Sequence, residues 1–422
     1  MWYKAADKLA HLLYYDLWGQ RQFKYNFLSE SSVDSIGEDW IELEPTHPNF
    51  FFSPKDFDLN DEYKKLVSIE EILMLNSSGI KTHHDHFVID FEVQTLERRM
   101  SNFISLDISD QEIKDLYKLE VIALSDVASM RKAVSRLNIG TTIKPILYRP
   151  FDVRHLFYDE SCCERLRTEV MDHLLKENLC LIVCRQQKEL GFYHSFVTEY
   201  VGDGNTISIK SREYNYYFPL YRYPETENDQ GSLFVERSSN ISSNFLSVVR
   251  EKLGYVPTPE AIFYYIYAIF HSPTYRQRYA EFLKIDFPRV PLTSDDQLFK
   301  DLGTKGQALV DLHLMKSKKL NKLITKMSGD GDNAVTEVTY KPTEQRVYIN
   351  GDRYFEGIAP EVWEFKIGGY QVLDKWLKDR KKAKRTLSFD DVLHYQKIVV
   401  ALKETMQLMV EIDQLIPGFP IA

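Results

Sequence analysis

The hydrophobic pattern is sharpest between Thr258 and Leu292, TPEAIFYYIYAIFHSPTYRQRYAEFLKIDFPRVPL. Thr258 followed by Pro259 reads as a helix start: the hydroxyl caps the first turn, and the missing proline N–H costs nothing there. From Ala261 to Phe270 every face is apolar or aromatic. Such a helix belongs inside a large core, and it is too short to span a bilayer. Ser272-Pro273 repeats the start signal, and a second, amphipathic helix runs to about Lys284. Pro288 and Pro291 end it. The pattern predicts a tight helical hairpin whose first arm lies in the middle of the protein.

The rest of the chain mixes the two periodicities. Residues 1 to about 30 carry apolar positions near the helical period, directly after Met1 and with no leader, so the chain reads as a piece of something longer. WIELEPTHPNFFFSP, from Trp40, looks extended. Gly79 ends a short helix, and the polar run KTHHDH is a loop feeding a strand at Phe87–Phe91. Residues 92–118 are helical, with a cap at Ser109. KPILYRPFDVRHLFY alternates apolar with basic residues and predicts strands around the Arg149-Pro150 turn. Leu179–Cys184 is a buried strand, Gln186–Tyr193 a polar turn, and Val197–Ile209 and Tyr214–Tyr223 are further strands. The polar segment Pro224–Asn240 reads as a linker. Ser294–Ser317 is helical, VTEVTYKPTEQRVYIN a β-hairpin, residues 372–378 a short helix, and Ser388 caps a long helix from Phe389 to about Leu415. The fold class is α+β: mixed strands with a buried helical hairpin and a helical C-terminal part. Three parts are expected: an N-terminal helical and extended segment (1–78), a strand-rich domain (79–240), and a helical scaffold with a β-hairpin and a basic run (241–422).

Composition narrows the class. With 422 residues, 44% of them apolar, the chain can build a sizeable core and is not disordered. Of the four cysteines, Cys162 and Cys163 are adjacent, which is no zinc-ligand spacing, and Cys180 and Cys184 lie in the apolar run LCLIVC. All four read as reduced thiols of a cytoplasmic protein. No signal peptide or membrane span is visible. The net charge of -9 argues against binding nucleic acid over the whole surface. A local basic groove is compatible with it, because screening acts within about 10 Å.

Catalytic signatures are missing. There is no GxSxG, no P-loop lysine, no GxGxxG, no Asn- or Asp-Pro-Pro-Tyr for transfer of a methyl group to an amine, and no PD…ExK cluster, so no catalytic residue is predicted. The cluster His83-His84-Asp85-His86 suggests a metal. Neighbours in an extended loop point in opposite directions, however, and zinc would need further ligands that no HExxH, CxxC or EF-hand pattern supplies. These residues therefore read as polar loop contacts. The basic residues are more informative. Lys366 to Arg385 holds Lys375, Lys378, Arg380, Lys381, Lys382 and Lys384 with few acids. Arg149, Arg154, Arg165, Arg167, Arg185, Lys188, Lys210 and Arg212 fall in or beside loops between strands, with Gln186 among them. A solvated surface would explain any one of them. Clustered on loops with Tyr, Gln and Asn, they match what phosphate positioning and base-edge reading require.

Several long runs resemble one family. GIKTHHDHFVIDFE, KPILYRPFDVRHLFYDE, FYYIYAIFHSPTYRQRYAEFLKIDFPRVPL and VYINGDRYFEGIAPEVWEFKIGGYQVLDKWLKDRKKAKRTLSFDDVLHYQKIVVAL resemble the C-terminal specificity region of type ISP restriction–modification enzymes. Those enzymes combine nuclease, helicase-like ATPase, N6-adenine methyltransferase and DNA-recognition parts in one chain. The resemblance runs from about Leu17 to Asp413, and the motor, nuclease and methyltransferase motifs are absent from it. It implies sequence-specific recognition of double-stranded DNA without a catalytic centre in this chain. S-adenosylmethionine, ATP and Mg2+ would serve only the missing domains, and a methyltransferase domain or subunit would be the protein partner. On this reading Lys81, Thr82 and His83 stand at the DNA entrance. Arg149, Arg154, Arg165, Arg167, Arg185, Gln186, Lys188, Lys210 and Arg212 contact phosphates or bases, and Lys375, Lys378, Arg380, Lys381 and Lys382 hold the backbone. The alternatives are a protein-interaction subunit that docks on a methyltransferase, and a nuclease or methyltransferase with an unrecognised site.

Overall fold

A computed structural model describes residues 11–45, 50–54, 58–119, 122–188, 191–210, 213–224 and 237–421. The chain divides into two units, residues 1–61 and 62–422. In the first, strand Leu12–Tyr14 pairs antiparallel with Ile41–Leu43, and a helix spans Arg21–Glu30. The single helix expected over residues 1–30 is thus, in its described part, a strand, a turn and a shorter helix. Gly19 makes the turn at φ +126, a conformation L side chains avoid. Tyr15 stacks on Phe27 at 5.7 Å.

In the second unit the expected buried helix spans Pro259–His271, capped by Thr258, whose hydroxyl accepts from the Ala261 N–H at 3.2 Å. Every residue from Ile262 to His271 except Tyr264 is buried. The hairpin expectation is corrected in one respect. The main packing partner of this helix is Asp296–His313 rather than its own second arm. The second arm is itself broken at Tyr279 into Pro273–Arg278 and Ala280–Leu283. Tyr279 leaves the helical conformation, donates its hydroxyl to Glu62 at 2.6 Å, and packs on Tyr63 and Tyr275.

Two features lock helix 259–271 to its neighbours. One is Gly306: a Cβ there would lie 1.8 Å from the Tyr264 carbonyl oxygen, so the two backbones approach as closely as they do only because the side chain is absent. The other is a buried polar chain. Tyr267 donates its hydroxyl to His313 Nδ1 at 2.6 Å, and His313 Nε2 lies 3.0 Å from Thr405 Oγ1. The Thr405 hydroxyl is already committed to the Ala401 carbonyl at 2.7 Å, so His313 must be the donor from Nε2. Burial, and then the charge of Arg276, push His313 down to about 3, which keeps the ring neutral. The chain thereby joins helices Pro259–His271, Asp296–His313 and Phe389–Leu415.

The strands form small sheets. One has the order Val201–Gly202, Ile143–Arg149, Asp152–Phe157, Ile89–Asp90, with the first pair parallel. A second, antiparallel, has the order Ser77–Ser78, Asn215–Pro219, Cys180–Cys184, Ser195–Thr198. They meet at Gly202, where a Cβ would lie 2.1 Å from the Tyr217 ring. The strand expected over 197–209 is split between the sheets, Ser195–Thr198 in the second and Val201–Gly202 in the first, and after Gly202 the chain becomes a loop held by side chains. The strand expected at Phe87–Phe91 is a helical turn, Asp85–Val88, closed by the Phe87 and Val88 N–H groups on the His84 carbonyl, with only Ile89–Asp90 extended. The expected hairpin is the Thr339–Lys341 and Arg346–Tyr348 part of a four-stranded sheet, and the short helix at 372 continues to Lys382. Residues 225–236 of the expected linker lie outside the described residues.

The strand-rich and helical parts share one core. Phe196 and Phe151 pack on His313 at 5.2 and 5.9 Å, and the Gly368 N–H donates to the Tyr193 carbonyl at 2.6 Å. The four cysteines are free and buried. Among the described residues no helix is long and apolar enough to cross a membrane. The close crossing gives a paired prediction. Gly306→Ala should destabilise the protein by about 2–3 kcal/mol through forced separation of the helices. Gly303→Ala, whose Cβ would meet only the Ala261 carbonyl at 3.9 Å, should be neutral or slightly stabilising. Denaturant unfolding of the two variants checks the contrast.

Candidate nucleic-acid interface

The loop expected at the entrance is fixed by backbone pairing at its start. The Gly79 N–H donates to Asn215 O, and the Ile80 N–H to Gly202 O. Lys81 exchanges two hydrogen bonds with Arg165, at 3.0 and 2.9 Å. Asp85 then locks the turn: one carboxylate oxygen takes the Thr82 hydroxyl and the other takes the Tyr148 hydroxyl at 2.9 Å. Thr82 is buried by this arrangement. His83 sits at φ 59, outside the loop wall, with Nε2 2.6 Å from Glu164. His86 Nε2 donates to the Tyr117 carbonyl at 2.8 Å. Burial, then the neighbouring His86 and His83, lower the pKa of His84. His83 and His86 thus engage different partners, and among the described residues no group of three or more His, Cys, Asp or Glu could hold a metal ion.

Behind the loop runs a ladder of ion pairs. Asp152, 1% exposed, receives Arg154 at 2.7 Å on one oxygen and Arg380 at 2.7 Å on the other. Burial disfavours its charge, but the two guanidinium groups outweigh that and hold the carboxyl well below the usual carboxylate range. Arg154 also reaches Asp379 at 3.4 Å, and Lys375 pairs with the same carboxylate. Arg149 pairs with buried Asp203 at 2.7 Å. Burial raises the Asp203 carboxyl, with Arg149 opposing. Aromatic rings fill the gaps. The Arg149 and Arg154 guanidinium carbons lie 3.8 and 3.9 Å from the Tyr148 ring centre, and Arg154, Arg380 and Arg385 lie 4.1, 5.1 and 4.6 Å from that of Phe91.

Four of the expected contact residues have carboxylate partners inside the fold. Arg149, Arg154, Arg380 and Thr82 are internal groups of the frame, each bonded to a carboxylate that in three cases lies far off in sequence. A guanidinium held this way would leave its partner carboxylate buried and unpaired if it turned to a phosphate. The remaining predicted residues are distributed around the frame. Arg165 is half exposed, 3.2 Å from Glu164. Arg167 takes φ 59, and its Nε is buried. Arg185 pairs with Asp286 at 2.9 Å, and the exposed Gln186 amide reaches the Ile285 carbonyl at 3.5 Å. Lys188 is exposed, while its N–H is bound by Glu213. Lys81 lies with its ammonium 5.2 Å from the Tyr214 ring centre. Lys210 is half-buried beside the Gly369 turn, and Arg212 lies outside the described residues. Lys378 pairs with Asp374 at 2.6 Å. Lys381 and Lys382, with Lys384, are exposed and make no ion pair among the described residues.

Sequence reading missed the group that holds the loop after Ile207. Glu213 is fully buried. Its carboxylate accepts from His194 Nε2 at 3.1 Å, from the Ser208 hydroxyl, and from the Lys188 N–H at 2.7 Å. Asn215 bridges the same loop, accepting from the Ile207 N–H at 2.5 Å and donating to the Glu213 carbonyl at 3.0 Å. Ile209 and Tyr214, expected within strands, flank this anchor and are exposed. The sequence gives little signal for it: Glu213 follows the polar run Lys210-Ser211-Arg212 and only Asn215 stands between aromatic residues, so neither its burial nor its partners can be read from the chain.

The chain matches the Type ISP C-terminal specificity domain over residues 71–411, and it belongs to that family. Three solved structures share its fold. One is a nuclease-deletion mutant of the Type ISP restriction-modification enzyme LlaGI in complex with a DNA substrate mimic, with 19% identity and a TM-score of 0.65 over 92% of this chain. The second is the ATP-dependent Type ISP restriction-modification enzyme LlaBIII bound to DNA, with 19% identity and a TM-score of 0.69 over 92%. The third is the DrdV–DNA complex, with 18% identity and a TM-score of 0.70 over 92%. The chain spans 37%, 26% and 42% of their respective lengths. No curated protein matches its sequence.

Two stability predictions follow from the buried charges. Asp152→Asn should destabilise the protein by roughly 3–5 kcal/mol, because it leaves two guanidinium groups without their shared countercharge; calorimetry checks this. The second concerns acid. Burial opposes the charge of Glu213, but the hydrogen bonds from His194, Ser208 and Lys188 prevail and hold its pKa at about 2, below the ordinary 4.5. The unfolded chain therefore takes up this proton first. The stabilisation is complete above about pH 4.5 and is lost as pH falls towards 2, by on the order of 3 kcal/mol. Glu213→Gln should be less stable at neutral pH and show a shallower loss of stability over that window.

Proposed function

We propose that this chain is the target-recognition part of a Type ISP restriction–modification system, reading a short site in double-stranded DNA without a catalytic centre of its own. The observation that carries the reading is the match to the specificity domain over residues 71–411. Two features support it. The shared fold is that of proteins solved with DNA or a DNA substrate mimic, and Lys381, Lys382 and Lys384, which make no ion pair among the described residues, are exposed together at the end of helix Val372–Lys382 and just beyond. Phosphate contacts need such free ammonium groups, whereas the paired arginines set the geometry. The protein partner in this reading is an adenine-specific methyltransferase domain or subunit in the cytoplasm. S-adenosylmethionine, ATP and Mg2+ would act there and in the motor and nuclease parts.

Fluorescence anisotropy with the 422-residue chain and labelled duplexes tests the proposal. Affinity should fall steeply with salt, with log K linear in log salt and about 0.9 in slope for each phosphate neutralised. Replacing Lys381, Lys382 and Lys384 by Ala together should weaken binding to all duplexes alike and lower the slope by about 2–3. Salt-insensitive binding, or no binding combined with co-purification of a methyltransferase, would instead mark a protein-docking subunit.

A further inference from the structure

The described ends of the loop, Ile207–Lys210 and Glu213–Asn215, are tied down by buried side-chain hydrogen bonds. The Glu213 carboxylate takes three hydrogen bonds from His194, Ser208 and Lys188, and the Asn215 amide bonds Ile207, Ser208 and Glu213. From the other side it rests on the turn at Gly368 and Gly369. A Cβ on Gly368 would lie 1.8 Å from the Ile207 carbonyl oxygen, and one on Gly369 would lie 3.0 Å from Ser208 Oγ. The Gly369 N–H donates to Ile207 O at 2.8 Å, and the Tyr370 hydroxyl to Asn205 O at 2.9 Å. Residues 211 and 212 lie outside the described residues. On either side of them two large apolar side chains stand in solvent: Ile209, 67% exposed, and Tyr214, 53% exposed. Lys81, from the entrance loop, sets its ammonium against the Tyr214 ring at 5.2 Å.

A fold gains nothing by anchoring a loop with a buried carboxylate in order to hold apolar groups in water. Pinning the backbone in advance removes the ordering cost of a later contact. Apolar groups on such a base suit a ligand that offers apolar surface within a polar, anionic surround. In duplex DNA the phosphates supply the anionic surround, which Lys81 complements. The apolar group on the floor of the major groove is the thymine methyl. We propose that Ile209 and Tyr214 are base-reading residues that contact thymine methyl groups in the major groove, while Glu213 and Asn215 position them. The inference rests on the DNA-recognition reading and specifies which residues of the interface carry sequence information.

The test is selection from a pool of duplexes with a randomised core, using the full chain. The wild-type chain should enrich one motif. Ile209→Ala and Tyr214→Ala should each lose preference at a thymine-bearing position of it. Replacing that thymine by uracil, which removes only the methyl, should weaken wild-type binding by about tenfold and leave the corresponding variant unaffected. Because both side chains are exposed, their removal should leave the unfolding midpoint unchanged. Lys381→Ala/Lys382→Ala should keep the motif while binding every duplex less tightly. If the two apolar variants enrich the wild-type motif and respond to uracil as the wild type does, this inference is overturned and the recognition reading stands. If the wild-type chain enriches no motif, the recognition reading fails and takes the inference with it.

Discussion

The structure of the second unit depends on the burial of Asp152. One carboxylate, without access to water, binds Arg154 of its own strand and Arg380 of a helix 228 residues further on. An isolated buried carboxylate would be too costly to keep ionised. Two guanidinium groups at hydrogen-bonding distance reverse that balance and fix where helix Val372–Lys382 lies against the sheet. The other positions follow from this one. Arg154 passes the connection to Asp379, Lys375 joins at Asp379, and Phe91 and Tyr148 fill the space between the guanidinium groups. Tyr148 in turn reaches Asp85, which closes the entrance loop. The basic end of the helix and the loop at residues 81–85 are thereby held in one continuous frame.

That frame sorts the arginines and lysines by role. Those with buried carboxylate partners are structural, and their charge is internally balanced. Lys381, Lys382 and Lys384 make no ion pair among the described residues and lie on the surface. A net charge of -9 is compatible with a basic surface region, because the charges are unevenly spread and screening acts within about 10 Å. Residue type alone could not separate the two groups, since an arginine in a loop between strands looks the same whether it faces a phosphate or an aspartate.

The two parts of the core use different means of attachment. Helices Pro259–His271 and Asp296–His313 meet through the absence of a side chain at Gly306 and through the neutral ring of His313. The two strand sheets meet through the absence of a side chain at Gly202, against the Tyr217 ring. In both places a glycine admits close contact and a buried hydroxyl is satisfied beside it, so the polar groups confer register while the apolar groups supply burial. The loop around Ile207–Asn215 extends the same logic to the surface, with Glu213 and Asn215 as the satisfied polar groups and Gly368 as the point of close approach.

The sequence alone determined the α+β class, the helix at 259–271, the strands flanking Arg149-Pro150, the buried strand at 180–184, the long helix from Phe389 and the family. Each of these rests on local information: a cap, a proline, a period of apolar positions, or a long specific run of residues. The tertiary structure decided what depends on partners distant in the chain. It turned the expected hairpin into a packing of Pro259–His271 on Asp296–His313, because the room at Gly306 is visible only when the second helix is in place. It converted Phe87 and Val88 from strand to helical turn, with both buried and Phe87 packed on Phe103 and Tyr117. It gave Arg149, Arg154 and Arg380 carboxylate partners inside the fold, because Asp203, Asp379 and Asp152, respectively, come to them only on folding. Periodicity records which face of an element is apolar, but it holds no record of which charge will meet which, and that pairing decided which basic residues remain on the surface.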